Sequence, residues 1–544
     1  MSAPQAACRA SRERLLNAFL REAGIHAVQQ GELRVPLPGS GRALIVDVRH
    51  RSVFGHHEYG DEVILERSDG RRAVLDHDAF VDALLGELTC TSGTNGDGPA
   101  IRAELAARIA NSTARTTRYL REGGWCAPSD DATALTRQAE QSLLVGHPFH
   151  PTPKSAEGFD DTDLARYAPE LGAAFALHYF AVDERIVWER RVGAGAWIAP
   201  EVAADAIDGF ALLPAHPWQA RYLLAQQPFV ELVAAGAVLP LGERGRQVYS
   251  TSSVRTVCAP GFETVWKLPL HVRITNFVRT NPVEHVRRAT DASVLVAALS
   301  PRWPDDGFGV LIETGFRGLE PAVVGDALAA DAAVLFRRQP FGRTGPAPRV
   351  LAGLLEEGAD GEAPPIVRCA RQAGDVSQWL RCYLEISLRP LLARFAHDGL
   401  SFEAHVQNSL VCIDDRGWPV RFWVRDMEGM SASRQRLAAN GTAGVLPADS
   451  PVLYDDDEAW LRLRYYAVTN QLGHLIAVLG RHSDAGEDGL WAVARDALST
   501  WPQPEAARLL AAPSLPAKAN LLGCVAGRAE RPSYVDIPNP LHRR

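Results

Sequence analysis

The chain has 544 residues, a net charge of −8, and 46% hydrophobic against 22% charged residues. This length favours about three domains rather than one core, and the dispersed negative charge disfavours nucleic acid as a partner. No apolar run reaches the ~18 residues that a membrane helix needs, and residues 1–14 lack the apolar stretch of a signal peptide. We therefore expect a cytoplasmic protein without a membrane partner. The eight cysteines form no Cys-x-x-Cys pair, which disfavours structural zinc.

The first 140 residues mix helical and extended patterns. Apolar periodicity predicts three helices, at Arg12–Ala23, Asp76–Leu88 and Ile101–Arg121. Two further runs, Ala43–Val48 and Glu62–Glu66, have the pattern of strands. This part of the chain is therefore predicted to be mixed helix and sheet.

A proline-stiffened segment follows a helix predicted over Ala134–Val145. It reads Gly146-His147-Pro148-Phe149-His150-Pro151-Thr152-Pro153-Lys154. Proline fixes φ and disfavours helix in the residue before it, so the segment should hold its histidines and lysine rigidly. Rigid loops at helix ends often carry function. A proline-rich turn with solvent-exposed histidines fits the same pattern.

The clearest strand pattern covers Lys267–Thr275, with Pro269 indicating an edge or a bulge. One face is apolar, and the other carries Lys267, His271 and Arg273. Just upstream, a run of hydroxyls at residues 250–253 precedes Arg255 and Thr256. Hydroxyls, backbone N–H groups and a guanidinium suit a polyphosphate, whereas a solvated strand face would need no ligand.

The C-terminal part predicts a hairpin between helices. Its strands are Ser409–Ile413 and Val420–Arg425 around a turn at residues 414–417, and helices are predicted over Ser377–Phe395 and Ala459–Leu479. Ahead of the hairpin comes Glu403-Ala404-His405-Val406-Gln407-Asn408, and the hairpin returns Asp426 towards its own base.

This arrangement can serve a metal or an acid. Carboxylate and amide oxygens at the hairpin base can hold Mg²⁺ beside nucleotide phosphates. His405 can bind a substrate carboxylate as a cation or act as a base near neutral pH. A buried histidine bonded to the backbone is the structural alternative.

Six motifs, in this order, resemble the IucA/IucC family, the siderophore synthetases that work without a nonribosomal peptide synthetase. They are the His147–Lys154 segment, His216-Pro217-Trp218-Gln219, Ser250 to Thr256, Lys267 to Arg279, Glu403 to Asn408, and Arg425-Asp426. The resemblance runs from about Glu140 to Leu541. It implies an α+β fold in three parts arranged like a cupped hand. The parts are a thumb-like domain at 1–140, a fingers-like ATP-binding domain at 141–345, and a palm-like helical domain with the hairpin at 346–544.

The resemblance also assigns roles to residues. ATP binding is expected at His147, His150, Lys154, Ser253, Arg255, Thr256 and Lys267. Citrate binding is expected at Thr275, Arg279 and His405, and Mg²⁺ at Glu403, Asn408 and Asp426. Lys267, Arg279 and His405 are the expected catalytic residues, and a homodimer is the expected assembly.

The implied reaction is the ATP-dependent adenylation of a carboxylic acid, followed by condensation with an amine or hydroxyl and release of AMP and pyrophosphate. Citrate, α-ketoglutarate and a citrate monoamide remain open as the acid.

Two other functions stay possible. One is a kinase-like phosphotransferase, because the hairpin with its Asn and Asp resembles a kinase core, although no Gly-rich loop precedes it. The other is a non-catalytic protein that binds citrate or a siderophore.

Overall fold

The computed structural model describes residues 1–91, 97–123, 131–339, 345–358, 362–527 and 533–542. Helices and sheets are interleaved throughout, which confirms the predicted α+β class. Within these residues, no helix combines the length and apolar character needed to span a membrane. The α-helices are Ala3–Glu22, His77–Thr91, Gly98–Glu122, Ala132–Gln141, Asp161–Tyr167, Pro200–Ala203, Pro217–Leu223, Gln227–Ala234, Val283–Leu299, Pro321–Val324, Asp326–Ala332, Leu351–Leu355, Pro365–Ala373, Val376–Ile386, Leu388–Asp398, Arg434–Ala439, Asp456–Leu463, Gly473–Arg481, Gly486–Thr500, Pro504–Ala511 and Asn520–Val525.

The N-terminal part is an antiparallel four-stranded meander packed by three helices; the sequence pattern predicts the three helices and two of the four strands. Its strands are Gly31–Leu37, Arg42–His50, Glu58–Glu66 and Arg72–Leu75. The core of this part also contains Leu521 and Val525 from near the C-terminus. The Glu22 carboxylate accepts the backbone N–H groups of Leu521 and Leu522 at 2.9 and 2.7 Å. The two ends of the described chain are therefore packed together.

An eight-stranded antiparallel sheet dominates the middle of the chain. In sheet order its strands are Val187–Arg191, Glu313–Leu319, Val334–Arg338, Thr264–Lys267, Thr256–Cys258, Val238–Ser250, Ala174–Asp183 and Phe210–Ala215. Lys267 ends an inner strand and lies directly opposite Thr256. The register thus brings two predicted phosphate-binding residues side by side.

The predicted continuous strand Lys267–Thr275 is wrong. The chain leaves the eight-stranded sheet after Lys267, and Leu270–Ile274 joins a separate sheet with Ala156–Glu157 and Phe277–Arg279. Pro269 lies between the two strands and has no N–H to donate to a ladder. Lys267 therefore does not share a strand face with His271 and Arg273, and it is buried rather than solvated.

The predicted hairpin is confirmed. Strands Ser409–Ile413 and Pro419–Arg425 pair antiparallel, flanked by Phe308–Leu311 and Pro348–Val350. Two small sheets complete the fold: Leu400–Ser401, Ser431–Ser433 and Leu453–Tyr454 form one, and Ser514–Lys518 with Tyr534–Pro538 form the other.

The two helices predicted around the hairpin are each interrupted. The first divides at Ser387 into Val376–Ile386 and Leu388–Asp398. The second contains a π-helical stretch, Arg464–Leu472, between Asp456–Leu463 and Gly473–Arg481. Wider turns of this kind often occur at functional sites because they displace side chains from the regular helical face.

Three main hydrophobic cores occupy the N-terminal, middle and C-terminal parts. Some residues pack into the core of a different part of the chain. Ala292, Leu295 and Leu299 of helix Val283–Leu299 join the C-terminal core, and Tyr119 joins the middle core. The division at residues 140 and 345 and the cupped-hand arrangement stay predictions.

Candidate active site

Lys267 is the centre of a buried group of charges. Its Nζ donates to Asp426 Oδ1 at 2.6 Å and to Glu428 Oε2 at 2.8 Å, and the residue is 3% exposed. Burial lowers the pKa of the ammonium, but Asp426 and Glu428 raise it by more, so the net shift is upward. Lys267 is therefore a fixed, permanently charged cation.

A second ion pair, between Arg337 and Glu313, supports the turn at Asp426. Arg337 Nη2 lies 2.7 Å from Glu313 Oε1 and 3.6 Å from Asp426 Oδ1. Glu313 Oε2 accepts the Met427 backbone N–H at 3.2 Å. Asp426 has φ +73°, a left-handed conformation uncommon outside glycine and sustained here by these contacts.

Sequence reasoning missed Glu313, Arg337 and Glu428. Only Glu428 carried a signal, since it stands two residues beyond Asp426. Glu313 and Arg337 come from strands of the central sheet that show no polar motif.

Arg255 ties the hydroxyl-rich loop to the next predicted site. Its Nη1 donates to the carbonyls of Arg279 and Thr280 at 3.0 Å each and to Asn281 Oδ1 at 2.6 Å. Nearby, the Thr256 N–H donates to Ser253 Oγ at 3.2 Å. The predicted phosphate-binding residues are thus one connected loop beside Lys267.

Thr275 and Arg279 lie together. Arg279 Nη2 donates to Thr275 Oγ1 at 2.7 Å and to the Ile274 carbonyl at 3.0 Å, and Thr275 has φ +59°. Arg108, which sequence reasoning missed, fixes this turn by donating to the Thr275 carbonyl at 2.7 Å. Nothing in the pattern around Arg108 marks it, because it stands on a long helix in the N-terminal part.

Arg279 is a partly buried cation that lacks a carboxylate partner in the described part of the chain. Within the described ranges it has no ion pair at 4.0 Å or less. Burial lowers the pKa of Arg279 to about 10, helped by Arg255, while Glu428 and Asp426 oppose the shift. The guanidinium stays charged at neutral pH, and a partly buried cation without a carboxylate partner is suited to an anionic ligand.

The proline-stiffened segment lies against these residues, with its members in different states. His147 Nε2 is 3.1 Å from Asn470 Nδ2 on the π-helical stretch. Burial, followed by the charges of Arg108, Arg14 and Arg279, lowers the pKa of His150 to about 3, so this imidazole is neutral. The Lys154 ammonium is buried and lies 2.5 Å from Glu170 Oε1. Its charge is already balanced within the protein.

His405 is held as a hydrogen-bond donor. Its Nδ1 accepts the backbone N–H groups of Gln407 and Asn408 at 3.1 and 3.3 Å, which leaves the proton on Nε2. Burial lowers the pKa of His405, so the neutral form predominates near pH 7. Nε2 is 4.0 Å from Glu403 Oε1. An Nε2–H donor can bind a carboxylate oxygen, but it has no free lone pair with which to act as a base.

Lys518 completes this side of the site. Its ammonium donates to the Tyr466 hydroxyl at 3.0 Å and lies 4.8 and 5.1 Å from the ring centroids of Tyr466 and Tyr465. The Tyr466 ring centroid is 5.9 Å from that of His405. Burial lowers the pKa of Lys518. The π-helical stretch thus places Tyr466 between Lys518 and His405.

The predicted metal residues lie in neighbouring turns at the hairpin base. The Asn408 carbonyl accepts the Arg425 N–H at 3.0 Å, and Asn408 Nδ2 donates to the Glu403 carbonyl at 3.3 Å. The Glu403 carboxylate lies against Gly429, just beyond Asp426. In the described part of the chain, no three His, Cys, Asp or Glu side chains are grouped to share a metal ion. Two carboxylates and an amide still fit Mg²⁺, which takes few protein oxygens when phosphates supply the rest.

The site residues converge although they come from distant parts of the sequence. The Asp426 charge contributes to the pKa of Lys267, Arg279 and His405. A buried ion pair between Arg425 and Glu140 anchors the hairpin to the helix that precedes the proline-stiffened segment. Anionic and cationic groups are thus concentrated at one place, as two anionic substrates would require.

Two family models match the chain. The model described as the IucA / IucC family matches residues 135–356, and the one described as ferric iron reductase FhuF-like transporter matches residues 377–533. Together they cover the segments that carry the candidate site.

Full-length relatives and a solved structure extend the match. The chain is 34% identical over 570 residues to the L-2,3-diaminopropanoate–citrate ligase of Staphylococcus aureus strain NCTC 8325 / PS 47, covering 99% of this chain and 96% of that protein. It is 30% identical over 583 residues to the rhizobactin siderophore biosynthesis protein RhbC of Rhizobium meliloti strain 1021, covering 97% and 96%. ATP-bound aerobactin synthetase IucA from a hypervirulent pathotype of Klebsiella pneumoniae superposes with a TM-score of 0.85 at 26% identity, covering 98% of this chain and 100% of that one. Since both sequence and fold agree from end to end, the chain belongs to the IucA/IucC family of siderophore synthetases.

Proposed function

We propose that this protein is an ATP-dependent siderophore synthetase that adenylates citrate and condenses it with an amine. The observation that carries the proposal is the end-to-end similarity to a diaminopropanoate–citrate ligase. The site supports it, because Arg279 is a partly buried cation beside the Lys267 loop and has no carboxylate partner among the described residues.

The nucleotide is assigned to the loop around Lys267. Ser253, Arg255, Thr256 and Lys267 face the phosphates in this proposal, with His147, His150 and Lys154 beside the nucleotide. Because the Lys154 ammonium is already paired with Glu170, we assign it a place beside the nucleotide without counting its charge toward the phosphates. When bound, Mg²⁺ offsets phosphate charge, and Glu403, Asn408 and Asp426 are the residues that would hold it.

The acid is assigned to Thr275, Arg279 and His405. The Arg279 guanidinium and the His405 Nε2–H hold carboxylate oxygens, and one free carboxylate oxygen of citrate attacks the α-phosphorus of ATP. Pyrophosphate leaves and a citryl-adenylate forms. The amine nitrogen then attacks the acyl carbon, AMP leaves with the bonding electrons, and the amine loses a proton. Lys267 and Arg279 balance the negative charge that gathers as the two anions meet.

The nucleophile is assigned to the side of the site that carries Lys518 and Tyr466. An amine that also bears a carboxylate would find a cation there, since Lys518 has no ion pair within 4.0 Å in the described ranges. A cytoplasmic location and a homodimer are part of the same proposal.

The test is a product analysis of the purified protein with ATP, Mg²⁺, citrate and a panel of amines that includes L-2,3-diaminopropanoate and spermidine. We expect AMP, pyrophosphate and a citryl amide, each dependent on citrate, together with citrate-dependent exchange of pyrophosphate into ATP. ADP as the sole nucleotide product would instead indicate a phosphotransferase. Citrate binding without any nucleotide turnover would indicate a binding protein.

A further inference from the structure

A cavity of about 880 Å³ lies outside the candidate active site. It is bounded by the end of helix Ala3–Glu22, the loop at residues 51–57, helix Gly486–Thr500 and residues 537–542. None of the predicted site residues lines it. Cavities of this size accommodate small-molecule ligands.

Arg21 projects a buried charge into this cavity. The residue is 8% exposed, and its Nη2 donates to the Phe54 carbonyl at 2.8 Å. Within the described ranges Arg21 has no ion pair at 4.0 Å or less. Burial lowers the pKa of Arg21 to about 9, so it remains a cation at neutral pH. An unpaired buried cation is costly unless something anionic reaches it.

Gly55 leaves one edge of this guanidinium open. A Cβ at residue 55 would lie 3.6 Å from Arg21 Nη2 and 3.8 Å from Arg21 Nε. Gly55 also has φ +82°, which disfavours any other residue. The backbone therefore makes room beside the charged group.

Two more arginines line the same cavity. Arg51 Nε donates to the Val28 carbonyl at 3.1 Å, and Arg495 Nη2 donates to the Pro540 carbonyl at 3.0 Å. Arg495 Nε is buried and has no hydrogen-bond partner in the described structure. The only carboxylate among the cavity residues is Asp496, so arginines outnumber carboxylates in the lining.

We propose that this cavity binds a small, multiply charged oxyanion through Arg21, Arg51 and Arg495. Guanidinium groups pair with carboxylate or phosphate oxygens through two parallel N–H bonds. The ligand is therefore a polycarboxylate or a phosphate compound, and it occupies a site separate from the one assigned to ATP and citrate.

The cavity is coupled to the proline-stiffened segment through Phe149. The Arg21 guanidinium carbon lies 3.3 Å from the centroid of the Phe149 ring, and Phe149 stands between His147 and His150. An oxyanion that draws Arg21 towards the cavity changes the support of this segment. We therefore expect the apparent KM for ATP to change when an oxyanion occupies the cavity. This second part rests on the proposed function.

The experiment is calorimetric titration of the whole protein with two probes, tricarballylate and inorganic phosphate, run separately. The variant is Arg51→Gln with Arg495→Gln, and the matched control is Arg49→Gln, an exposed arginine outside the lining. We expect the double variant to bind the better probe at least ~10-fold more weakly, from the loss of charge-assisted bonds. Arg49→Gln should bind like the wild type, and the preferred probe identifies the anion class.

A second variant, Asp496→Asn, is expected to gain affinity, a result that misfolding cannot produce. Asp496→Asn removes the exposed carboxylate and should tighten binding by ~2-fold or more, because a like charge leaves the site. Equal binding by all four proteins overturns the proposal. So does binding that disappears in Lys267→Met but persists in the double variant, because the anion then sits at the candidate active site. Binding needs no turnover, so a protein that forms no AMP yet loses its oxyanion in the double variant contradicts only the proposed function.

Discussion

Lys267 has two functions that a substitution would remove together. It faces the site assigned to the phosphates, and it neutralises Asp426 and Glu428 in a buried position. The sequence suggests a solvated strand residue whose loss would leave the fold intact. The structure places the ammonium against two partly buried carboxylates, so its removal would leave Asp426 with Arg337 at 3.6 Å and Glu428 with His285 at 3.0 Å as their remaining ion-pair partners.

Lys267→Met should therefore lower both stability and activity. We expect the free energy of unfolding to fall by ~1–3 kcal/mol, and AMP formation by folded protein to fall at least ~100-fold. Urea unfolding and an AMP assay below the unfolding transition measure the two effects. Arg338→Met, an exposed cation on the adjacent strand, is the control and should change neither quantity appreciably. A Lys267→Met protein of normal stability would show that the ion pairs contribute little.

Arg279→Lys tests the acid site without removing charge. Lysine cannot reproduce the planar fork that grips a carboxylate, so we expect the apparent KM for citrate to rise by ~10-fold or more. ATP binding, measured by calorimetry, should stay within about a factor of two. Arg273→Lys, a half-exposed neighbour paired with Glu157, serves as the control. Loss of ATP affinity with unchanged citrate dependence would move Arg279 to the nucleotide.

His405 can be tested as a donor rather than as a base. Glutamine places an N–H group near the position of Nε2, whereas alanine places none. His405→Gln should therefore keep at least ~10-fold more citrate-dependent activity than His405→Ala, in line with one hydrogen bond to a charged group. The pH–rate profile should keep its shape in His405→Gln. Equal losses in both variants, with a titration step removed, would restore the role of base.

At the scale of elements, the hairpin was predictable and the strand break was not. The hairpin at residues 409–425 is predictable from local sequence, because two apolar runs flank a polar turn. The burial of Lys267 depends on Asp426 and Glu428, which lie 159 and 161 residues away. Pro269 marked an irregularity, but it did not show that two different sheets meet there. Arg108 likewise had no local signal, because its partner is the Thr275 carbonyl, 167 residues away in the sequence.

Gly429 tests how closely the turn after the hairpin fits Glu403. A Cβ at this position would collide with Glu403 Oε2, and no positive φ complicates the substitution. Gly429→Ala should displace the Glu403 carboxylate and raise the Mg²⁺ concentration needed for half-maximal AMP formation by ~5-fold or more, if Glu403 helps to hold the metal. Gly444→Ala, which meets nothing within 4 Å, is the matched control. An unchanged Mg²⁺ dependence would remove Glu403 from the metal assignment.

At the scale of the whole molecule, the Glu22 contact joins the two ends of the described chain and carries a pH signature. Burial raises the pKa of Glu22 to about 7, although the Leu522 and Leu521 N–H groups oppose the shift. A carboxyl whose pKa is higher in the folded state binds more protons there. Its contribution to stability is therefore complete below the unfolded pKa and is lost as pH rises to about 7.

Glu22→Gln should flatten this dependence. Between pH 5 and 7, the free energy of unfolding of the variant is expected to decline less than that of the wild type. Urea unfolding at several pH values measures the slope, with the exposed Glu62→Gln as control. Identical slopes for wild type and Glu22→Gln would mean that Glu22 titrates alike in both states.

The packing of Leu521 and Val525 into the N-terminal core has a consequence for biosynthesis. A ribosome releases helix Ala3–Glu22 and its meander long before it reaches residue 521, so the first part to emerge must wait with an open apolar surface. Over roughly five hundred residues, at ~5–20 residues per second, that wait lasts about half a minute or more. Chaperone demand during synthesis should therefore fall on the N-terminal part, and a stop codon before residue 521 should release a chain whose exposed core favours aggregation.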